Sequence, residues 1–475
     1  MLFPTVDFAI FFLIVFLAHW LLNPHPVPWK VFMIAASFVF YAWWDWRLVW
    51  LLALVSVLAQ LGAILVYRTD DPRRRRWTTG LAVAALLAPL AWFKYYGFLS
   101  LSLANLWDTF GSSPPLPLLS IVLPVGISFY TFMAISYVVD VHRRLSTPAG
   151  WLDLFVYLSF FPHLVAGPIV RDTELIPQIR ARRDPRRIDL GRAAYLILGG
   201  LFKKMVIASF LSTAIVDPVF GSPSTHSAID VLVGIYAYAV VIYADFSAYA
   251  DIAIGVALLL GFEFPLNFDR PYAARSLQDF WRRWHMTLSR WLRDYVYIPL
   301  GGNRRGELRT SVNIMVTMLL GGLWHGAGWT FMVWGALMGA GQVVGHRRRA
   351  ARVAAGLPPM DDAPRAIARQ RLLTFQFVCL GWVFFRSDSI DAAFTLLGRL
   401  VTGWSTPIQH VTPLVVAVVV LMVAAQYAPP RPAELLRARY SRLRPVLQGA
   451  AAAAILFAIT TLGPQGVAPF IYFQF

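Results

Sequence analysis

Apolar segments separated by short polar loops recur along nearly the whole chain. Most of them approach the roughly 20 apolar residues that an α-helix needs to cross the hydrocarbon core of a bilayer. Hydropathy therefore predicts helical spans at 5–22, 30–44, 48–67, 77–93, 118–139, 193–214, 231–260, 310–345, 372–386, 411–428 and 447–462.

Two segments depart from this simple pattern. The segment 310–345 is too long for one straight crossing, so we expect it to bend or break at the glycines near its middle. The segment 151–167 has basic residues on both sides, which indicates a re-entrant or surface helix rather than a span. Irregular backbone at that depth has to line protein or water.

Composition agrees with a polytopic membrane protein. Hydrophobic residues make up 58% of the chain and charged residues 14%, and the 18 tryptophans suit two interfacial belts. The single cysteine, Cys379, excludes an internal disulfide. The first apolar segment lacks a basic start and a cleavage site, so we expect a retained span. The predicted fold is all-α: one integral membrane domain over 1–475, with about eleven transmembrane helices plus re-entrant and amphipathic helices.

The net charge of +17 comes from arginine clusters in the loops and not from one exposed basic domain, which argues against nucleic acid as a partner. Basic loops face the cytoplasm, where anionic lipid headgroups contact them. The clusters lie at 73–76, 143–144, 180–192, 347–349 with 365–371, and 431–444. They alternate with loops of little or no basic charge, which are predicted to face outward, at 108–117, 217–230, 387–410 and 462–475. This alternation predicts a multi-pass protein of the bacterial inner membrane with both termini on the extracytoplasmic side.

His325 is the only ionisable residue between Thr310 and Gly345. An ionisable group at membrane depth indicates a functional site by default. Glycines on both sides of His325 leave room for another backbone or a substrate to come close. The alternative interpretation is a structural histidine that bonds a neighbouring helix.

The segment 279–306, DFWRRWHMTLSRWLRDYVYIPLGGNRRG, is too basic to span a membrane and too aromatic for a free loop. Read at helical spacing, it predicts a basic amphipathic helix with Trp281, Trp284 and His285 on the apolar face. Two interpretations stay open: an interfacial helix on anionic lipid headgroups, or a site whose arginines bind the phosphates of an acyl donor. The second interpretation assigns donor binding to Trp281, Trp284, Arg282, Arg283, Arg290 and Arg293.

Asp245 and Asp251 are the only charged residues between Asp230 and Glu263, inside a predicted span. Carboxylates at that depth need cationic partners, and we expect the arginines or histidines of segment 279–306 to supply them. A structural role as ion-pair anchors is favoured over a catalytic one.

Five motifs follow one another along the chain: FPHLVAGPIVR, YADFSAYADIAIG, WRRWHMTLSRWLRDYVYIPLGGNRRG, GGLWHGAGWTFMVWG and the ending PFIYFQF. In this order they resemble the membrane-bound O-acyltransferases, and within them the bacterial branch that acetylates alginate and related exopolysaccharides. The resemblance covers nearly the whole chain. It implies a multi-helix enzyme with a central tunnel through the membrane. The family's invariant catalytic histidine corresponds to His325, and its second, donor-side histidine to His285.

The chemistry of acyl transfer agrees with this resemblance, because a base must take the proton of the acceptor hydroxyl. A neutral imidazole does this near pH 7, and we predict that His325 is the base. The expected function is O-acetylation of a cell-envelope polysaccharide such as alginate, with the acetyl group taken from a cytoplasmic donor and passed across the inner membrane. We expect acetyl-CoA as donor, no tightly bound cofactor, no metal, and an extracytoplasmic O-acetyltransferase as protein partner.

Two other functions stay open as alternatives. One is D-alanyl transfer from a carrier protein toward teichoic acid, which differs in the donor. The other is a transporter of acyl groups or lipid without a covalent step. The histidine pair and the lack of an evident inverted repeat argue against the transporter.

The carboxyl-terminal tail, PFIYFQF, is uncharged apart from its terminus and is predicted to lie on the outer side. An aromatic anchor at the membrane interface is the favoured interpretation. The alternative is a tail that folds back into the tunnel, where the phenol of Tyr472 carries the acyl group transiently.

Overall fold

The computed structural model of the chain describes residues 1–110, 116–119, 121–429 and 431–463. Every regular element in these residues is helical, which confirms the all-α class. Contacts divide the chain into two compact units, Met1–Ala193 with Ala253–Pro265, and Ala194–Ile252 with the described residues from Leu266 onward. That residues 1–475 act as one membrane domain stays a prediction.

Nine helices form most of the first unit. They are α1 (Val6–Leu22), α2 (Pro26–Asp45), α3 (Val49–Arg68), α4 (Pro72–Leu90), α5 (Tyr96–Asp108), α6 (Ile127–His142), α7 (Trp151–Ser159), α8 (Phe161–Leu164) and α9 (Asp172–Arg180).

Helices α3, α4 and α6 pack against one another in the first unit. Two side chains buried there hydrogen-bond each other: the Tyr137 hydroxyl donates to Gln60 Oε1 (3.0 Å) and accepts from the backbone N–H of Ala149 (2.8 Å). Such bonds offset the cost of burying polar groups in an apolar helix bundle.

Segment 151–167 forms the two short helices α7 and α8, which are largely buried in the first unit. Asp153 in α7 forms ion pairs with Lys30 of α2 (2.5 Å) and with Arg180 of α9 (2.8 Å). Burial alone would raise the pKa of this carboxyl, but its bonds to the two cations hold the pKa below its usual value. The charged form of Asp153 therefore ties α7 to both neighbours.

The remaining helices lie wholly or mostly in the second unit. They are α10 (Leu190–Phe202), α11 (Ser209–Leu211), α12 (Asp217–Gly221), α13 (Ala228–Leu259), α14 (Leu277–Trp281), α15 (Met286–Leu292), α16 (Gly306–His325), α17 (Trp329–Ala354), α18 (Pro364–Arg386), α19 (Ile390–Thr402), α20 (Pro413–Ala425), α21 (Arg431–Ser441) and α22 (Pro445–Leu462).

The long segment 310–345 is broken, as its glycines predicted. Helix α16 ends at His325, extended backbone follows, and α17 begins at Trp329. The two helices then pack tightly against each other. A Cβ at Gly335 would lie 2.6 Å from the carbonyl oxygen of Met318, so only glycine allows this approach.

Within the described residues, five helical stretches are long and apolar enough to cross a membrane: Pro26–Arg68, Pro72–Asp108, Leu190–Gly221, Ala228–Leu259 and Pro445–Leu462. Three shorter apolar helices cover further predicted spans, at Val6–Leu22, Ile127–His142 and Pro413–Ala425. These helices agree with an integral membrane protein. The total of about eleven spans stays a prediction.

The structure differs from the sequence prediction at the start of one predicted span and in two predicted loops. The predicted span 118–139 becomes helical only at Ile127, because Gly126 takes a left-handed conformation (φ 74°) before it. The predicted outer loop 387–410 and the basic loop 431–444 contain α19 and α21. Both helices are amphipathic, so neither contains a continuous apolar run that hydropathy would identify as a helix.

Candidate active site

His325 is the last residue of α16, and its imidazole is buried. Three aromatic rings meet it edge-on, with centroids at 4.9 Å (Trp324), 5.1 Å (Trp334) and 5.2 Å (Phe385). These rings come from α16, α17 and α18, so three helices fix the position of the imidazole.

A cavity of about 440 Å³ lies beside His325, which is within the usual size of small-molecule sites. Its apolar wall includes Leu288, Ile314 and Met318. Its polar lining comes from four parts of the second unit and includes Gln278, Arg282, Arg293, Asn303, Gln342 and Arg349. The cavity therefore combines a base, apolar surface and several cations.

Three of the six side chains predicted to bind the donor line this cavity, namely Trp281, Arg282 and Arg293. The ring of Trp281 also meets that of Trp334 edge-on at 5.7 Å, and Trp334 in turn contacts His325. The structure thus brings part of the basic segment and the predicted base to one site.

The other three predicted donor residues do not line the cavity. Trp284 is buried, with its ring stacked on Phe280 at 5.5 Å. Arg283 pairs with Asp279 (2.8 Å) and lies 3.8 Å from Asp269. Arg290 is half-buried outside the lining. The contacts of Trp284 and Arg283 are structural, and a donor role for all three stays a prediction.

The single amphipathic helix predicted for 279–306 is wrong. Helix α14 ends at Trp281, His285 takes a left-handed conformation (φ 42°), and α15 starts at Met286. The cause lies upstream: the carbonyl of Asn267 accepts from Met286 N–H (2.9 Å), which stabilises the break. The side chains of α14 and those of α15 therefore do not follow one common helical periodicity.

His285 is fully buried and held by Asn267. The Asn267 Oδ1 atom accepts from the Thr287 hydroxyl (2.9 Å) and backbone N–H (3.2 Å), and His285 Nδ1 lies 3.1 Å from it. Because the amide oxygen Oδ1 can only accept, the His285 Nδ1 atom is the donor in this contact and carries the ring proton. The Nε2 atom then carries the lone pair, and it has no hydrogen-bond partner among the described residues.

Burial lowers the pKa of His285 to about 3, so its imidazole is neutral at physiological pH. The ring does not line the cavity beside His325. It does contact Trp324 (5.5 Å between centroids), the same ring that His325 contacts at 4.9 Å. The two predicted histidines are therefore neighbours across Trp324.

The two aspartates of α13 have cationic partners that sequence reasoning missed. Lys204 lies 2.8 Å from Asp245, and Lys203 lies 2.5 Å from Asp251, instead of the expected arginines or histidines of 279–306. The signal was present, because two adjacent lysines interrupt the apolar run 193–214. The favoured role of the aspartates as ion-pair anchors agrees with this arrangement.

Several cavity residues also escaped the sequence prediction. Arg349 belongs to the basic cluster 347–349 that was assigned only a topological role, His346 directly precedes that cluster, and Gln342 is an amide within the apolar stretch 310–345. A polar amide in a predicted span was the available signal. Tyr472 lies outside the described residues.

The match to a protein family agrees with this site. Residues 38–345 match the model described as MBOAT, membrane-bound O-acyltransferase family, and the chain belongs to this family. The matched region includes both His285 and His325. The chain is thus an O-acyltransferase, as its motifs predicted.

Individual relatives carry different names. The chain is 36% identical to the "Probable alginate O-acetylase AlgI" of Azotobacter vinelandii, with 100% of each chain covered. It is 36% identical to the "Peptidoglycan O-acetyltransferase" of Helicobacter pylori, with 84% of this chain and 80% of the relative covered. It is 29% identical to the "Teichoic acid D-alanyltransferase" of Streptococcus thermophilus, over 57% of this chain and 70% of the relative.

Proposed function

We propose that this chain takes an acetyl group from acetyl-CoA on the cytoplasmic side and passes it across the inner membrane for O-acetylation of a cell-envelope polysaccharide such as alginate. The cavity that brings His325 together with Trp281, Arg282 and Arg293 carries this proposal. A base beside apolar surface and cations suits a thioester donor that bears phosphates.

The acetyl group is favoured over D-alanine by the extent of the similarity. The matches to the two relatives named for O-acetylation cover 100% and 84% of this chain, whereas the match to the D-alanyltransferase covers 57% of it. The acceptor is a polysaccharide because the relative that matches over its full length is named for alginate.

In the proposed reaction, neutral His325 accepts the proton of the acceptor hydroxyl while that oxygen attacks the thioester carbonyl. A C–O bond forms and the C–S bond of the donor breaks. The imidazolium returns the proton to the leaving thiolate, so the products are an acetate ester and a free thiol. His325 ends the cycle neutral, as it began.

The proposed topology has about eleven spans around a tunnel, with both termini on the extracytoplasmic side. An extracytoplasmic O-acetyltransferase then completes the transfer to the polymer. Tyr472 is either an interfacial anchor or a transient acyl carrier near the tunnel exit. If Tyr472→Phe leaves acetyl export unchanged, the carrier role is wrong.

The test uses purified protein in vesicles of known orientation, with radiolabelled acetyl-CoA added on the side of the basic loops. We expect wild type to consume it and His325→Ala and His325→Gln to lose at least 100-fold in rate, because general-base catalysis contributes about 10²–10⁴-fold. His25→Ala, at an exposed position, is the matched control. Wild-type rates in correctly folded His325 variants would refute the assignment.

A further inference from the structure

A separate cavity, of about 250 Å³, lies between α10, α21 and α22 in the second unit, and we call it the α10–α21 groove. Of the described residues, none lines both this groove and the cavity beside His325. Helix α10 contributes half of the lining residues, and most of the rest come from α21. Within the part of the chain that the structure describes, Arg437 is the one charged residue of the lining. The groove is therefore an apolar site with a single cation.

The wall that α10 supplies is an apolar face with a hollow in it. Tyr195, Leu198, Gly199 and Phe202 line the groove at helical spacing, and the face extends for about 10 Å along the helix axis. A Cβ built at Gly199 would meet no atom of the described residues within 4 Å. The glycine therefore leaves open space between its larger neighbours. This shape suits a narrow, elongated apolar group.

The wall that α21 supplies is fixed by hydrogen bonds to α22. The Tyr440 hydroxyl donates to the carbonyl oxygen of Gln448 (3.1 Å), and Gln448 Nε2 donates to the carbonyl oxygen of Tyr440 (3.1 Å). Leu436, one turn before Tyr440, lines the groove with it. Because α21 is held by these bonds, the groove exists before any ligand binds.

The groove lies in the most basic helical segment near the carboxyl terminus. Segment 431–444 contains five arginines and one glutamate, and it is predicted to face the cytoplasm. Arginines on an amphipathic helix at a membrane surface attract anionic lipid headgroups. A guanidinium group such as that of Arg437 binds a phosphate through paired N–H donors.

An ordinary lipid-facing helix surface does not have this combination. Phe202 of α10 and Ile455 of α22 are each 40% exposed, and they border the hollow from two different helices. A ligand in the groove thus needs an apolar chain for the hollow and an anionic group for the arginine. Both properties occur together in an anionic phospholipid.

We infer that the α10–α21 groove binds one acyl chain of an anionic phospholipid, whose phosphate contacts Arg437. The site goes beyond the proposed acyl transfer, since it lies outside the cavity that contains His325. A lipid bound there joins α21 to α10. Because it binds the folded protein, it also stabilises that arrangement.

The test measures binding of dioleoyl phosphatidylglycerol and dioleoyl phosphatidylcholine to the full-length protein by native mass spectrometry, over a range of lipid concentrations. We expect one phosphatidylglycerol molecule to bind wild type at least tenfold more tightly than phosphatidylcholine, because a hydrogen-bonded charge contributes that much. The headgroup alone, glycerophosphoglycerol, should not displace it, because the acyl chain supplies the rest of the affinity.

Two variants address the two halves of the site, each with a matched control. Gly199→Phe fills the hollow and should weaken phosphatidylglycerol binding at least tenfold. Gly449→Phe makes the same change on α22 outside the groove, where a Cβ also meets open space, and should leave binding unchanged. Arg437→Gln should abolish the preference for phosphatidylglycerol. Arg439→Gln removes the same charge from an exposed position of α21 outside the groove and should retain the preference.

Several results would overturn the inference. Equal effects of the two phenylalanine variants would show that the hollow is not the site. Equal effects of the two glutamine variants would mean a general attraction to the basic segment. Displacement by glycerophosphoglycerol would leave a phosphate site without a chain. A dimer that Gly199→Phe dissociates would assign the groove to a second copy of the chain. If Gly199→Phe does not fold, the arginine pair decides the question alone.

Discussion

The buried ion pair between Lys204 and Asp245 allows a quantitative prediction about the second unit. Lys204 Nζ lies 2.8 Å from Asp245 Oδ1, and the side chains are only 2% and 6% exposed. Asp245→Leu keeps the number and branching of the side-chain heavy atoms while it removes the charge. The ammonium of Lys204 then remains buried without this carboxylate.

At an effective dielectric constant of about 20, two unit charges at this separation attract by about 6 kcal/mol. Partial solvation of the remaining ammonium recovers some of this energy, and removal of one partner from a buried pair costs about 3–5 kcal/mol. We therefore expect Asp245→Leu to lower the free energy of unfolding by about 3–5 kcal/mol. The double variant Lys204→Met/Asp245→Leu should return to within about 1 kcal/mol of wild type, because no buried charge is left.

The neighbouring pair is a matched control. Lys203 and Asp251 are also in contact, but their side chains are 19% and 27% exposed. The remaining charge is therefore less desolvated than at Lys204, and we expect Asp251→Leu to cost less than Asp245→Leu. Unfolding of each purified variant in rising mole fractions of dodecyl sulfate, followed by tryptophan fluorescence, gives the free-energy differences.

Two results would refute this reasoning. Equal losses in Asp245→Leu and Asp251→Leu would show that burial does not set the energy of the pair. A double variant as unstable as the single one would show that the loss comes from packing around Asp245 and not from removal of the carboxylate beside Lys204.

Three further changes test other parts of the structure. Asn267→Ala removes the oxygen that orients His285, so we expect acetyl-CoA consumption to fall about tenfold or more, and an unchanged rate would contradict this. Gly335→Ala should cost about 1–3 kcal/mol of stability, whereas Gly398→Ala, where a Cβ meets open space, should cost little. Because the pKa of Asp153 is lowered, its ion pairs stabilise the fold above its unfolded pKa of about 4. The stability difference from Asp153→Asn should therefore shrink as pH falls from 7 to 3.

Hydropathy was sufficient where a helix is long, apolar and bounded by polar loops. The break at His325 was also predictable, because glycines cluster on both sides of it and the apolar run exceeds one bilayer crossing. In these places, the local sequence is sufficient to predict the conformation of the backbone.

Segment 279–306 shows where local pattern fails. Its periodicity fits one amphipathic helix, yet Asn267, 18 residues before His285, supplies hydrogen bonds that stabilise a left-handed residue at the centre. Sequence periodicity does not reveal a partner at that distance. The prediction therefore placed Trp284 and Trp281 on one face, whereas the structure buries the first and places the second beside the cavity.

The arginines at 347–371 were assigned to topology for a related reason. Charge in a loop predicts the side of the membrane, but it does not say which guanidinium groups meet in space. Only the fold brings Arg275, from before α14, to the same cavity as Arg348 and Arg369.

The two histidines of the motifs are expected to contribute differently to catalysis. A base must come within hydrogen-bond distance of the proton that it removes, and His325 lines the cavity whereas His285 does not. His285 touches the ring of Trp324, so a change at His285 can reach His325 through that ring. We therefore expect His285→Gln to retain measurable turnover, with a smaller loss in kcat than His325→Gln. If both variants lose activity to the same level while both remain folded, the imidazoles act on the same atoms, and the separation by Trp324 changes when the donor binds.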